Sequence, residues 1–165
     1  MGTGGVFLRK LRAKVTDQPT GFVWIEKCRL AGSGYPASRS QVEWIADQGI
    51  GVILTLTEDA LPAAWAQGLS IVTHHIPMND HAAPGAAALD AAVSFIRGQL
   101  EQGESVLVHC LAGEGRTGCV LAAYLIKEKK VGADEAMRTL REVKPEFVER
   151  SQEDAVRNYA STVKP

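Results

Sequence analysis

Apolar residues along this chain fall into two kinds of run, and their alternation predicts the elements. Short β-branched runs at Gly51 to Leu56, Ile71 to Ile76 and Ser105 to Val108 read as buried strands. Phe22 to Leu30 reads as paired short strands leading into a glycine turn at Gly32-Ser33-Gly34. Between these lie stretches with helical spacing: Ser38 to Gln48 closed by Gly49, a short one from Leu61 to Gln67, and Ala86 to Leu100 stopping at Gly103. Thr117 to Lys130 is rich in Ala, Leu, Val and Tyr and free of Pro, which predicts a further helix. Asp134 to Val143 carries Ala136, Met137, Leu140 and Val143 as a helical stripe that Pro145 ends. A last helix is expected from about Ser151 to Tyr159, with Ser151 and Asp154 resembling a capping box.

Strands alternating with helices predict an α/β fold, a central and mostly parallel sheet flanked by helices on both faces. With 165 residues, no repeat and no long linker, 21–165 reads as one domain large enough for a proper core. Residues 1–20 read as an arm, disordered at Met1 to Gly5 and basic at Arg9, Lys10, Arg12 and Lys14. A solvated arm is the stronger reading over a membrane-touching helix, because the segment is short and lacks a second anchor. The formal net charge of −1 leaves no footprint for nucleic acid. No apolar stretch approaches membrane-spanning length and no secretory signal is visible, so no stable membrane association is expected. Three cysteines, Cys28, Cys110 and Cys119, are an odd number without framework spacing, which suits a reducing interior. The expectation is a monomeric cytoplasmic enzyme.

Candidate chemistry concentrates where the strand at Ser105 to Val108 meets the helix at Thr117. The joining loop is Cys110-Leu111-Ala112-Gly113-Glu114-Gly115-Arg116. Unpaired backbone amides and the positive end of the helix dipole meet there, a setting that binds phosphate without side chains. Gly113 and Gly115 let the backbone turn its amides inward, and Arg116 can add a planar fork of donors to two phosphate oxygens. The same field favours the thiolate of Cys110, poised to attack phosphorus and form a phosphocysteine. Thr117 can point its hydroxyl at that sulfur and stabilise it as the leaving group of the second step. Taken singly, a strand-end cysteine is usually core and a glycine pair usually a turn. Seven such choices agreeing in one strand–loop–helix unit outweigh those bland readings.

Cys-x5-Arg-Thr in this setting resembles the cysteine-dependent protein phosphatases. His109, the two glycines, Thr117-Gly118 and Leu121-Ala122-Ala123-Tyr124-Leu125 share in the resemblance, as do Arg29-Leu30-Ala31-Gly32, His75-Ile76-Pro77 and Lys144-Pro145. The likeness covers roughly Phe22 to Tyr159 and is nearest to compact, atypical dual-specificity phosphatases. It implies a substrate cradle from Leu111 to Arg116, catalysis by Cys110, Arg116 and Thr117, and an aspartate on a separate loop as proton donor. Asp80, within Ile76-Pro77-Met78-Asn79-Asp80-His81-Ala82-Ala83-Pro84-Gly85, fits that position; an Asx turn or helix cap is its bland alternative. Asp90 is the weaker candidate because it falls inside a predicted helix. Related phosphatases often carry a water-positioning glutamine late in the chain, which points to Gln152 or Glu153, with a solvated helix surface as the equal alternative.

The resemblance requires no cofactor and no metal. His81 and the pair His74-His75 have no spacing that looks like a ligand set, and such a pair usually has one buried and one exposed ring. Lipid phosphatases of the tensin type carry lysines at the positions of Leu111 and Glu114, whereas this loop is apolar and acidic there. Glu114 is therefore expected at the pocket rim, repelling extra substrate charge by about 1 kcal/mol or less. The leading function is a phosphomonoesterase acting on phosphotyrosine, with phosphoserine and phosphothreonine open. The alternatives are a small-molecule monophosphatase for sugar or inositol phosphates, a catalytically silent phosphate-binding module, and rhodanese-type sulfur transfer. Arg116-Thr117-Gly118 favours phosphate over sulfane sulfur, and a thiosulfate:cyanide assay separates those two.

Overall fold

The computed structural model describes residues 17–163, so the expected N-terminal arm lies almost wholly outside the described residues. Five strands form one sheet: β1 (Val23–Glu26), β2 (Leu30–Ser33), β3 (Val52–Thr55), β4 (Val72–His75) and β5 (Val106–His109). Their order across the sheet is β1-β2-β5-β3-β4. Only β1 runs antiparallel to its neighbour; the pairs β2/β5, β5/β3 and β3/β4 are parallel. The expected α/β architecture with a mostly parallel sheet is the one observed.

Alternation along each strand divides the core in two, since successive side chains point to opposite faces. Leu30, Val52, Leu54, Val106 and Val108 point into one cluster, and Ala31, Ile53 and Leu107 into the other. The smaller layer is closed by α1 (Arg39–Asp47), through Val42 and Ile45, and by a 3-10 turn at Ala63–Trp65. The larger is closed by α2 (Ala86–Glu101), α3 (Gly115–Lys129), α4 (Ala133–Val143) and α5 (Glu153–Thr162). Each fully buried leucine or isoleucine contributes roughly 1.5–3 kcal/mol. Helix α3 is buried from Gly115 to Ile126, and α2, α4 and α5 all pack against it. This is why its sequence is apolar on every side.

Three local expectations are corrected. Gly32 does not turn the chain; it lies inside β2, paired with Val23 and Val108. A Cβ there would come within 3.2 Å of both Thr117 and Leu121, so the glycine lets α3 pack close against the sheet. The last helix has no capping box: Ser151 falls in a 3-10 turn at Arg150–Gln152, and α5 begins at Glu153. The residue at its N-cap, Gln152, makes no side-chain cap bond, because both ends of its amide are used elsewhere. The stretch expected to be helical from Leu61 to Gln67 shortens to the 3-10 turn.

The register is what builds the site. Ser33, His109, Thr55 and His75 pair side by side in one row across the parallel strands. Each is the last residue of its strand. The loops that follow therefore open on one edge of the sheet, the usual ligand edge of an open parallel sheet.

Candidate active site

Cys110 is the first residue past β5 and is only 2% exposed. Thr117, in the first turn of α3, donates its hydroxyl to the Cys110 sulfur at 3.1 Å. The loop between them wraps the start of α3, where the first amides have no carbonyl partner within the helix. Gly113 sits at φ +72°, and a Cβ there would collide with the backbone of Ser33 and Gly34. Only glycine lets the loop lie flat on the end of β2. Gly115 faces the Gln152 and Glu149 side chains, with a would-be Cβ 2.6 Å from the Gln152 amide oxygen.

Arg116 is 2% exposed, and its guanidinium is aimed by three partners from other loops. Nη1 donates to the Met78 carbonyl at 3.0 Å and to Glu58 at 3.2 Å. Nη2 pairs with Asp80 Oδ1 at 2.9 Å. Asp80 thus stands at the site, on the loop that follows β4. Asp90 does not: its carboxylate bonds Lys127 at 2.6 Å and the Tyr159 hydroxyl at 3.1 Å. The Lys127 bond holds Asp90 below the usual carboxylate range, against a smaller burial effect. Of the two aspartates, Asp80 is the one paired with Arg116.

Gln152 is buried and bridges two parts of the site. Its Nε2 donates to the Ala82 carbonyl on the Asp80 loop at 3.0 Å, and its Oε1 accepts from the Cys119 thiol at 3.7 Å. Glu153 instead pairs with Arg141 at 2.7 Å and Arg157 at 3.2 Å, away from Cys110. Burial pushes the Cys119 thiol up to about 12, with the Cys110 and Glu149 charges adding to it. Cys119 is accordingly an inert core residue at ordinary pH. His81, exposed at φ 55°, stands 3.5 Å from both Asp80 and Glu149. His74 is exposed and stacks on Phe95 at 4.0 Å, whereas His75 is half-buried and bonds the Thr57 carbonyl at 2.7 Å.

Two side chains at the site carry no signal in the local motif. Glu58 follows β3 and joins Arg116 to the Asp80 loop, accepting the Asp80 backbone N–H at 2.7 Å. Backbone hydrogen bonds, from its own N–H and that of Asp80, hold its carboxyl below the ordinary range, and Arg116 adds to the effect. The rule that ligands meet the carboxyl ends of parallel strands would have pointed to it. Lys144 donates to the Gly113 carbonyl at 3.0 Å and stands 4.0 Å from Glu114, whose side chain is 38% exposed. It braces the loop and partly balances the Glu114 carboxylate.

His109 is fully buried behind Cys110. Its Nδ1 is 3.1 Å from the Cys110 carbonyl, which can only accept, so Nδ1 carries the proton. Nε2 then accepts from the Thr55 hydroxyl at 2.8 Å. Burial drives this imidazole down to about 4, with Arg116 and His75 adding repulsion and the Cys110 hydrogen bond opposing it. The folded value lies below the unfolded one, so the unfolded chain takes up a proton that the fold refuses. Stability should therefore fall as pH drops from about 6.5 to about 4, by about 3 kcal/mol at most. Urea unfolding across that window should show the loss in the wild type and its relief in His109→Gln; parallel pH curves would contradict it.

Residues 19–157 match the family described as the Swiss Army Knife protein, DSP-PTPase phosphatase domain (PTP-SAK). The chain belongs to that family. Over 132 residues this PTP-SAK domain is 28% identical to the phosphatidylglycerophosphate phosphatase PTPMT2 of Arabidopsis thaliana, covering 77% of this chain and 58% of that one. Over 116 residues it is 32% identical to dual specificity protein phosphatase 12 of Rattus norvegicus, covering 68% of this chain and 34% of that one. The PTP-SAK domain thus spans between a third and three-fifths of the length of these relatives. Among solved structures, Tk-PTP in the active form superposes with a TM-score of 0.78 at 25% identity, covering 86% of this chain and 97% of that one. No described helix of the PTP-SAK domain is long and apolar enough to cross a membrane.

Proposed function

We propose that this protein hydrolyses phosphomonoesters of the phosphotyrosine type through a phosphocysteine on Cys110, with phosphoserine and phosphothreonine as further candidates. The observation that carries the reading is the convergence of Thr117 on the Cys110 sulfur, with Arg116 aimed by Glu58, Met78 and Asp80. Family membership supports the same reading.

In the proposed sequence, phosphate oxygens occupy the loop amides from Leu111 to Arg116 and the two-pronged face of the Arg116 guanidinium. The Cys110 sulfur attacks phosphorus, the P–O bond to the alcohol breaks, and Asp80, carrying a proton, gives it to the departing oxygen. Water then attacks the phosphocysteine. The S–P bond breaks, Asp80 takes the water proton, and the sulfur leaves as a thiolate bonded to Thr117. Inorganic phosphate and the starting enzyme result, and no electron changes hands.

A monophosphorylated small molecule or lipid is the second reading, favoured by the similarity to a phosphatidylglycerophosphate phosphatase. Phosphate release from p-nitrophenyl phosphate with EDTA present, between about pH 4 and 8, tests the proposal. Acid quenching during turnover should trap a phosphorylated Cys110 peptide. Phosphate release without that peptide, or none at all, would overturn it; the latter result would favour a silent phosphate-binding module.

A further inference from the structure

Beside Arg116 lies a cavity of about 260 Å³, lined by Tyr35, Thr57, Glu58, Asp59, Leu111 and Arg116. Leu111 and Arg116 of the Cys110 loop are part of its lining, so the cavity adjoins the loop where a phosphate would sit. A larger cavity, about 720 Å³, is lined by Arg141, Val148, Glu149 and Glu153 among others. Arg141 there is already bonded to the Phe147 and Val148 carbonyls and to Glu153, and among the described residues no thiol, hydroxyl or imidazole lines it.

One wall of the smaller cavity is apolar and fixed in place. The Tyr35 ring packs edge-on against His109 at 5.6 Å and against Trp65 at 6.3 Å. Its backbone N–H donates to the Leu111 carbonyl at 2.9 Å, tying the loop after β2 to the loop after β5. Leu111 is 60% exposed, one of few large apolar side chains that face solvent among the described residues. A flat ring lying along Tyr35 would cover it.

The rest of the lining is acidic. Glu58 and Asp59 end the segment after β3, and the Asp59 carbonyl accepts the Thr57 hydroxyl at 2.7 Å, which fixes the turn. Among the described residues, Arg116 is the only cation lining the cavity, and a bound phosphate uses its charge. Lys144 is committed to the Gly113 carbonyl. Glu58 is bonded to Arg116 and to the Asp80 N–H, so with phosphate in place Asp59 supplies the carboxylate that faces the substituent, with the Glu58 charge beside it.

We propose that the Glu58–Asp59 rim, in the same cavity as Tyr35 and Leu111, is a subsite for a positive group carried beside an aryl phosphate, as in a phosphotyrosine flanked by Arg or Lys. This rests on the phosphatase reading of Cys110 and names the substrate class of that site. An aromatic ring fits the apolar wall, and a neighbouring cation meets Glu58 and Asp59. A second phosphoryl or an acidic residue in the same place meets like charge in a half-enclosed space.

The test compares kcat/KM for phosphotyrosine peptides of one length, flanked on both sides by Arg or by Glu, in wild type and in Asp59→Lys. Taking the ratio within each protein cancels any general change in activity. Wild type should favour the basic peptide by about five- to tenfold at physiological salt, and the preference should shrink in about 1 M salt, where charges are screened within roughly 3 Å. Asp59→Lys should bring the ratio to about one or invert it. Equal rates, a preference for the acidic peptide, or a basic preference untouched by Asp59→Lys would each overturn the subsite. So would faster turnover of phosphatidylglycerophosphate vesicles than of the basic peptide. Failure to hydrolyse p-nitrophenyl phosphate would instead overturn the phosphatase reading, and this inference with it.

Discussion

Cys110→Ser is expected to reduce phosphoester turnover by about 10⁴-fold or more, equivalent to roughly 5.5 kcal/mol of transition-state stabilisation. The exchange alters one atom at a residue that is 2% exposed, so the loop and helix α3 should keep their packing. What changes is the nucleophile. Sulfur is the intrinsically stronger nucleophile, whereas a serine hydroxyl needs a general base to activate it. The nearest imidazole, His109, cannot serve as that base, because its Nδ1–H is directed at the Cys110 carbonyl and its Nε2 at Thr55. Thr117 would still reach the serine oxygen, so vanadate should bind the variant while turnover disappears. The check is phosphate release alongside thermal melting and vanadate titration. Turnover within tenfold of wild type would mean that the nucleophile lies elsewhere.

Arg116→Lys should lower kcat/KM by about 10³-fold, near 4 kcal/mol, and mostly through kcat. The guanidinium holds the Met78 carbonyl and Glu58 with one nitrogen and Asp80 with another, so its plane is set before substrate arrives. A lysine keeps the charge but cannot place two parallel donors on two phosphate oxygens. It would also release the loop carrying Asp80, since a single ammonium cannot meet all three partners. Steady-state kinetics on an aryl phosphate, together with the melting temperature, separates the effects. A small change in melting with a large fall in kcat supports phosphate contact. A loss of less than tenfold in kcat/KM would restrict Arg116 to bracing Glu58 and Asp80.

The legible parts of this protein are those whose meaning is local in the chain. A β-branched run, two glycines, an arginine and an apolar helix from Val106 to Lys129 are contiguous, so strand, loop and helix could be read directly from residue order. The core followed equally well, because period-two and helical spacing decide which face of an element avoids water. Gly32 shows the limit. Glycine suggests a turn from sequence, yet here it sits mid-strand because Thr117 and Leu121 approach it from a helix some ninety residues later. The capping box at Ser151 failed for a related reason: the side chain at the cap, Gln152, is bonded to Ala82 and Cys119 across the fold.

By itself the sequence determined the α/β layering and the Cys110-to-Arg116 loop, and it narrowed the acid to a choice between Asp80 and Asp90. Tertiary structure sets Asp80 against Arg116 and Asp90 against Lys127, brings Lys144 to the loop, and adds Glu58 and the Tyr35–Asp59 cavity. The strand order β1-β2-β5-β3-β4 places the strand of Cys110 between β2 and β3. The row of Ser33, His109, Thr55 and His75 then brings four distant loops to a common edge. Local periodicity encodes which side of a strand faces the core. Which strands become neighbours is set by long-range packing and parallel register, and that long-range arrangement surrounds the loop with the groups that aim it.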